Sequence, residues 1–249
     1  MTPKPTSIIK VAVEYHDDGT LLEAFVANPE LAESDQSSKK PTVLVFPAWR
    51  GRDAFACEKA EALAKLGYVG IALDVYGKGV SGKNREECTQ LVQPFMEDRL
   101  KLRQRLLAGL ETALKLPYVN PNQIAAMGFC FGGLCALDLA RSGADIKGVV
   151  TFHGSLKPLS KIKNEKIKSK ILVLHGHDDP TILPSMVLDF ENEMTEAQAD
   201  WQVHTYGNTM HAFTLPTANE HKFGTAYQPS SDRRSWIAMK NFFEEIFAD

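Results

Sequence analysis

Two segments near the start of the chain alternate apolar and polar residues with a period of two, Ile8–Tyr15 (IIKVAVEY) and Thr20–Val26 (TLLEAFV). Between them lies His16-Asp17-Asp18-Gly19. Asp-Gly favours a tight turn, so the chain is expected to open with an antiparallel hairpin. Ala32–Lys40 (AESDQSSKK) reads as a surface loop. The pattern then changes. Short β-rich runs occur at Thr42–Phe46, Val69–Leu73, Ile124–Met127, Gly148–Phe152, Ile171–Leu174 and Trp201–Tyr206. Several are apolar on both faces, which suits parallel strands covered by helices on each side. Helical patterns lie between them at Asp53–Leu66, Arg85–Leu116, Gly133–Arg141, Pro184–Met194 and Asp232–Phe247. Asp53 and Asp232 are expected as N-caps, and the long segment Arg85–Leu116 as two helices broken near Pro94. Alternating strands and helices behind a hairpin predict a single α/β domain over residues 1–249 with a mostly parallel sheet. In such sheets ligands bind beyond the carboxyl ends of the strands, so the residues after each strand carry the chemistry.

After the strand ending at Met127 comes Gly128-Phe129-Cys130-Phe131-Gly132-Gly133, and then a helix. This is G-x-Nu-x-G with cysteine as the nucleophile. A strand that turns at once into a helix strains the central residue and pushes its side chain into the cleft, and only glycine two residues before and after avoids a clash. Cys130 would then stand at a helix N-terminus, whose dipole favours a thiolate. The N–H of Phe131 would point where an oxyanion forms. The competing reading is a buried structural cysteine in a tight turn.

A thiol nucleophile needs a base and a group that orients it. The run Ile171–Leu174 leads into His175-Gly176-His177-Asp178-Asp179-Pro180, and Trp201–Tyr206 leads into Gly207-Asn208-Thr209-Met210-His211-Ala212-Phe213. His211 is assigned as base and Asp179 as its orienting acid; spacing alone leaves Asp178 as a rival. His175-x-His177 beside two Asp also invites a metal, but no third cluster completes a ligand set, and no metal or cofactor is expected. His153, at the end of another run, either lines the cleft for substrate or is structural. The second oxyanion donor is expected in Pro47-Ala48-Trp49-Arg50-Gly51, at the N–H of Trp49, whose ring serves as a lid or as packing. Arg50, Arg52 and Arg99 are cations to test against a substrate carboxylate; solvated surface charge is the alternative for each.

Composition narrows the classes. Of 249 residues, 44% are hydrophobic and 24% charged, with a net charge of −3. This suits a globular protein and argues against nucleic acid as partner. The basic stretch Lys157–Lys170 lacks interleaved aromatics and reads as a solvated face. No apolar run approaches the ~18 residues of a membrane span, and MTPKPTSIIKV is no signal peptide, so a cytoplasmic protein is expected. Four cysteines (57, 88, 130, 135) form no CxxC pair and read as reduced thiols. Without such a partner a redox role for Cys130 is disfavoured.

The elbow Gly128–Gly133, the HGHDDP stretch and the YGNTMHAF stretch together resemble the dienelactone hydrolase family, from about Val43 to the C-terminus. The resemblance implies an α/β-hydrolase fold without a large cap. It implies a Cys-His-Asp triad that opens lactones or esters through an acyl-thioester, with Cys130, His211 and Asp179 in those roles. Asp179 is preferred over Asp178 because the family pattern G-x-x-D counts from Gly176. Two features depart from the family. A family Glu that contacts the thiol falls at Ala48, and a family Arg shortly after the catalytic His is missing from Ala212-Phe213-Thr214-Leu215. The expected substrate is therefore a small carboxylic ester or lactone other than dienelactone itself, handled by a monomer or weak homodimer. A non-catalytic scaffold that binds a small ligand is the alternative.

Overall fold

The leading hairpin forms as its alternation requires. In the computed structural model, which describes residues 7–30, 39–158 and 166–248, β1 (Ser7–Asp17) pairs antiparallel with β2 (Thr20–Glu30). Asp17 faces Thr20, so the loop has two residues, Asp18 and Gly19, both with positive φ (46° and 72°) as a type I′ turn demands. Lys40 starts β3 (Lys40–Phe46); the rest of the expected Ala32–Lys40 loop lies almost wholly outside the described residues, as does part of the basic stretch Lys157–Lys170.

The chain divides into two compact units, one ending at Ala126 and one starting at Met127. In the first, the strand order is β1-β2-β4-β3, where β4 is Val69–Ala72. β3 and β4 are parallel; β2 meets β4 antiparallel. β4 and all but Pro41 of β3 are buried, which explains why their runs are apolar throughout. Helix α1 (Ala54–Lys65) begins where Asp53 accepts the N–H of Ala56 at 3.1 Å, as expected of that N-cap. Arg85–Leu116 is indeed two helices, α2 (Arg85–Glu97) and α3 (Arg99–Leu114), but the break falls at Asp98 rather than Pro94. Pro94 is held inside α2, while the Asp98 carboxylate accepts from the N–H groups of Leu100 and Lys101 and so starts α3. Buried Arg105 of α3 grips the hairpin, donating to Asp17 at 2.5 Å, Val75 O at 2.7 Å and Thr20 Oγ1 at 3.2 Å.

Strand β5 (Val119–Phe129) extends well beyond the apolar core Ile124–Met127. In the second unit β6 (Gly148–Phe152), β7 (Lys170–Gly176) and β8 (Trp201–Tyr206) lie in that order and pair in parallel. The helices are α4 (Phe131–Arg141), α5 (Pro184–Glu196) and α6 (Pro229–Ala248). Apart from the leading hairpin, the β3–β4, β6–β7 and β7–β8 pairs are parallel, and helices follow β3, β4, β5 and β7. Asp232 is not the cap of α6. Pro229 opens that helix, a position that needs no N–H, and Asp232 lies in its first turn, accepting from Tyr227 Oη at 3.1 Å.

Helix α4 is buried along its whole length and ends in a fully buried cation. Arg141 donates two bonds to the Glu193 carboxylate of α5 (2.9 and 2.7 Å), one to Leu156 O (3.0 Å), and longer ones to Asp138 and Lys157 O (3.4 Å each). Glu193→Ala would remove the carboxylate nearest this guanidinium, leaving the Asp138 carboxylate at 3.4 Å. A loss of about 3 kcal/mol of unfolding free energy is expected, read as a lower urea midpoint at unchanged slope.

Candidate active site

Between the end of β5 and the start of α4 stands a single residue, Cys130, with φ 54° and ψ −117°. A non-glycine residue holds such a conformation only when its surroundings force it. They do so here because strand and helix are in direct contact. A Cβ on Gly128 would lie 1.9 Å from Gly132 O and 2.7 Å from Gly133 N. The Cys130 N–H donates to Phe152 O at 3.0 Å, which ties the elbow to the end of β6. Cys130 is half-buried, and the His211 ring and the Phe131 N–H act to favour its thiolate. Of the other thiols, Cys88 and Cys135 are buried, and half-buried Cys57 lies 3.8 Å from the Arg52 guanidinium, whose other contact is Glu23 at 2.5 Å.

β7 and β8 deliver the other two groups. Asp179 is buried in the turn after β7, and its Oδ2 lies 2.6 Å from His211 Nδ1. Its Oδ1 accepts from the Thr181 N–H at 2.8 Å and from the Thr181 hydroxyl at 2.6 Å. Asp178 is exposed, and His175 and His177 have different surroundings, the first buried and the second in solvent. Among the described residues no group of three His, Cys, Asp or Glu is placed to hold a metal ion.

His211 follows β8 and is fixed by its backbone. Its N–H donates to Gly224 O at 2.9 Å and its carbonyl accepts from Ala226 at 3.0 Å. Gly224 belongs to a small excursion made of β9 (Asn219–Glu220), a 3-10 turn (His221–Phe223) and β10 (Thr225–Ala226). It has φ +68°, and a Cβ there would lie 2.1 Å from Pro180 Cγ, so only glycine lets the excursion rest against the Asp179 turn.

Burial works against charge on all three groups, and their mutual interactions outweigh it. Burial pushes the Cys130 thiol up, but the adjacent His211 cation and the hydrogen bonds from His211 and the Phe131 N–H bring it below the ordinary thiol range. Burial likewise raises Asp179, yet the bonds from His211 and Thr181 hold it below the usual carboxylate range. Burial lowers His211, but the Cys130 thiolate and the Asp179 carboxylate push it up to about 10. These directions favour a thiolate–imidazolium pair backed by a carboxylate.

His153 is 3% exposed and has φ 41°. Its Nε2 lies 2.9 Å from Thr214 Oγ1, and its ring meets the His211 ring edge-on at 5.0 Å between centroids. Trp49, Arg50 and Arg99 belong to the first unit. Trp49 is half-buried; its carbonyl accepts from Tyr76 Oη at 3.0 Å and the Arg85 guanidinium lies 5.6 Å from its ring centre. Arg50 is exposed, and Arg99 is half-buried at the first residue of α3.

Comparison with known proteins decides the family. The family model described as the dienelactone hydrolase family matches residues 23–247. The chain belongs to the dienelactone hydrolase family. A solved dienelactone hydrolase-like promiscuous phosphotriesterase from metagenomic libraries superposes with a TM-score of 0.90 at 35% identity, covering 96% of this chain and 99% of that one. A putative carboxymethylenebutenolidase of Aquifex aeolicus is 28% identical over 93% of this chain and 96% of its own length. A probable 2-oxo-3-(5-oxofuran-2-ylidene)propanoate lactonase of Bradyrhizobium is 28% identical over 91% of each chain. This dienelactone hydrolase family member thus has an α/β-hydrolase fold and is a hydrolase of ester or lactone bonds.

Three parts of the hydrolase's site escape the sequence reading. Thr181 carries a signal, since Thr two residues after Asp often returns a hydrogen bond to its carboxylate. Thr214 and the excursion 219–226 carry none: their roles depend on what a distant loop presents. The charge pattern has a direct consequence. A depressed thiol pKa means deprotonation at lower pH, so iodoacetamide is expected to alkylate Cys130 below the pH range of an ordinary thiol. His211→Gln removes the cation and leaves burial opposed chiefly by the Phe131 N–H, which moves the rate–pH profile upward. An unmoved profile in that variant would contradict the ion pair.

Proposed function

We propose that this chain hydrolyses small carboxylic esters or lactones through a Cys130-His211-Asp179 triad and an acyl-thioester intermediate. The observation that carries the reading is the His211 ring, held 2.6 Å from the buried Asp179 carboxylate and close enough to the strained Cys130 to lower its thiol pKa. The Cys130 thiolate attacks the ester carbonyl, forming a C–S bond and a tetrahedral oxyanion. The N–H groups of Phe131 and Trp49 receive that oxyanion; one such donor is typically worth ~3–4 kcal/mol. Collapse breaks the C–O bond, and the imidazolium of His211 passes its proton to the leaving alkoxide. Neutral His211 then takes a proton from water as the water attacks the thioester, and the carboxylic acid leaves with Cys130 again a thiolate. Asp179 stays ionised and holds the ring through Nδ1. The cycle needs no metal or cofactor.

The names of the relatives favour lactones and activated esters among the substrates. Ala48 and the uncharged run after His211 direct the choice away from dienelactone itself, and Arg50 and Arg99 are the cations assigned to a substrate carboxylate. The chain acts as one hydrolase domain without a large cap, as a monomer or weak homodimer, in the cytoplasm.

An esterase and lactonase panel on the native protein beside Cys130→Ala tests the reading. The variant is expected to lose roughly 10³-fold or more in kcat. Full activity in Cys130→Ala sinks the mechanism. Iodoacetamide that labels all four thiols at equal rates favours a ligand-binding scaffold instead.

A further inference from the structure

One buried, strained and titratable residue takes no part in the cycle above, although its ring meets that of His211. His153 is the first residue after β6. Its neighbour Phe152 accepts the Cys130 N–H at 3.0 Å, and its own N–H donates to Leu174 O of β7 at 2.9 Å. One dipeptide thereby spans the nucleophile elbow and the strand that leads to Asp179. The ring completes the set. It lies edge-on to His211 at 5.0 Å and to Phe213 at 5.3 Å, and tilted to Phe129 at 6.1 Å. Its Nε2 pairs at 2.9 Å with Thr214, which is buried and stands three residues after His211 in the same loop.

The backbone adds an independent sign. A φ of 41° is costly for a side chain with a Cβ and persists only where the packing imposes it. At 3% exposure the ring has little surface to offer a substrate. What it meets is the base.

We infer that His153 is a positioning residue: its ring, pinned by Thr214, fixes the plane of the His211 imidazole between Asp179 and Cys130. The need is physical. His211 must keep two hydrogen bonds on opposite ring nitrogens, and rotation about its side-chain torsions breaks both together. The Asp179 bond restrains one end only. A ring edge-on to the imidazole blocks rotation at the other, and the Thr214 bond fixes that ring in turn. Small displacements of a catalytic base are costly, on the order of 10²-fold in rate per ångström.

The inference rests on the triad proposed above, and its test separates the two. His153→Asn keeps a residue that tolerates positive φ and removes the ring; Thr214→Val is nearly isosteric and removes only the pin. Both are compared with Cys130→Ala on the same ester, with steady-state kinetics and iodoacetamide rates across pH. His153→Asn is expected to lower kcat roughly 10- to 100-fold with KM changed less than about twofold. It is also expected to move the Cys130 alkylation profile upward, because a misaligned imidazolium no longer supports the thiolate. Thr214→Val moves both readouts in the same direction by less, and the double variant is no worse than His153→Asn alone. An unmoved pH profile with normal kcat in Thr214→Val and His153→Asn overturns the inference, as does a raised KM at unchanged kcat, which places His153 against the substrate. Should His153→Asn fail to fold, Thr214→Val decides alone. Activity in Cys130→Ala overturns the triad whatever His153 does; an inactive Cys130→Ala beside a fully active His153→Asn overturns only the positioning role.

Discussion

The approach of Gly128 to Gly132 at the end of β5 sets the conditions for everything near Cys130. With a side chain at Gly128, the strand end could not lie against the first turn of α4, since its Cβ would fall 1.9 Å from a carbonyl oxygen. The contact leaves one residue to reverse the chain, and that residue takes φ 54° and ψ −117°. Strain of this kind costs on the order of 1–3 kcal/mol and is held by what surrounds it. Much of the holding is done by the Cys130 N–H bond to Phe152 and by the burial of α4.

Helix α4 carries two buried electrostatic clusters, one at each end, built on opposite principles. At its C-terminus Arg141 meets carboxylates and carbonyls that match its donors, a static arrangement whose charges have nowhere to go. At its N-terminus the charges of Cys130, His211 and Asp179 are each opposed by burial and sustained mainly by one another, with help from the Phe131 N–H and Thr181. The first cluster secures the position of the helix. The second holds charges that burial alone would remove.

Much of this was legible in the residues. The period-two alternation and the Asp-Gly turn predict the hairpin to within a few residues, and β6 and β8 coincide with their apolar runs. The elbow is legible because its glycines are a local steric requirement. The misplacements have local causes as well. The break between α2 and α3 follows the capping strength of Asp98, which outweighs the proline four residues earlier. Asp232 looked like a cap, but Pro229 had already opened α6. Asp178 and Asp179 differ in nothing but their side of a turn, one exposed and one buried, so spacing could not separate them. Thr214 and the stretch 219–226 were invisible for a deeper reason: they act on His211 across a loop closure, and no periodicity records what a loop closes upon.

That closure is made partly by shape. Where Gly224 meets Pro180, two loops from different strands touch through a rigid ring and a bare backbone. The spacing between the Asp179 turn and the segment bearing His211 is thereby set by atomic radii as well as by the 2.6 Å hydrogen bond. A steric stop does not titrate and does not depend on ionic strength. The two loops keep their separation whatever the charges of Asp179 and His211. Exposed Pro216 and Thr217, at the tip of the turn that the Ala218 N–H closes on Leu215 O, are thus a place where sequence drift or laboratory redesign changes the surface without resetting the distance between His211 and Asp179.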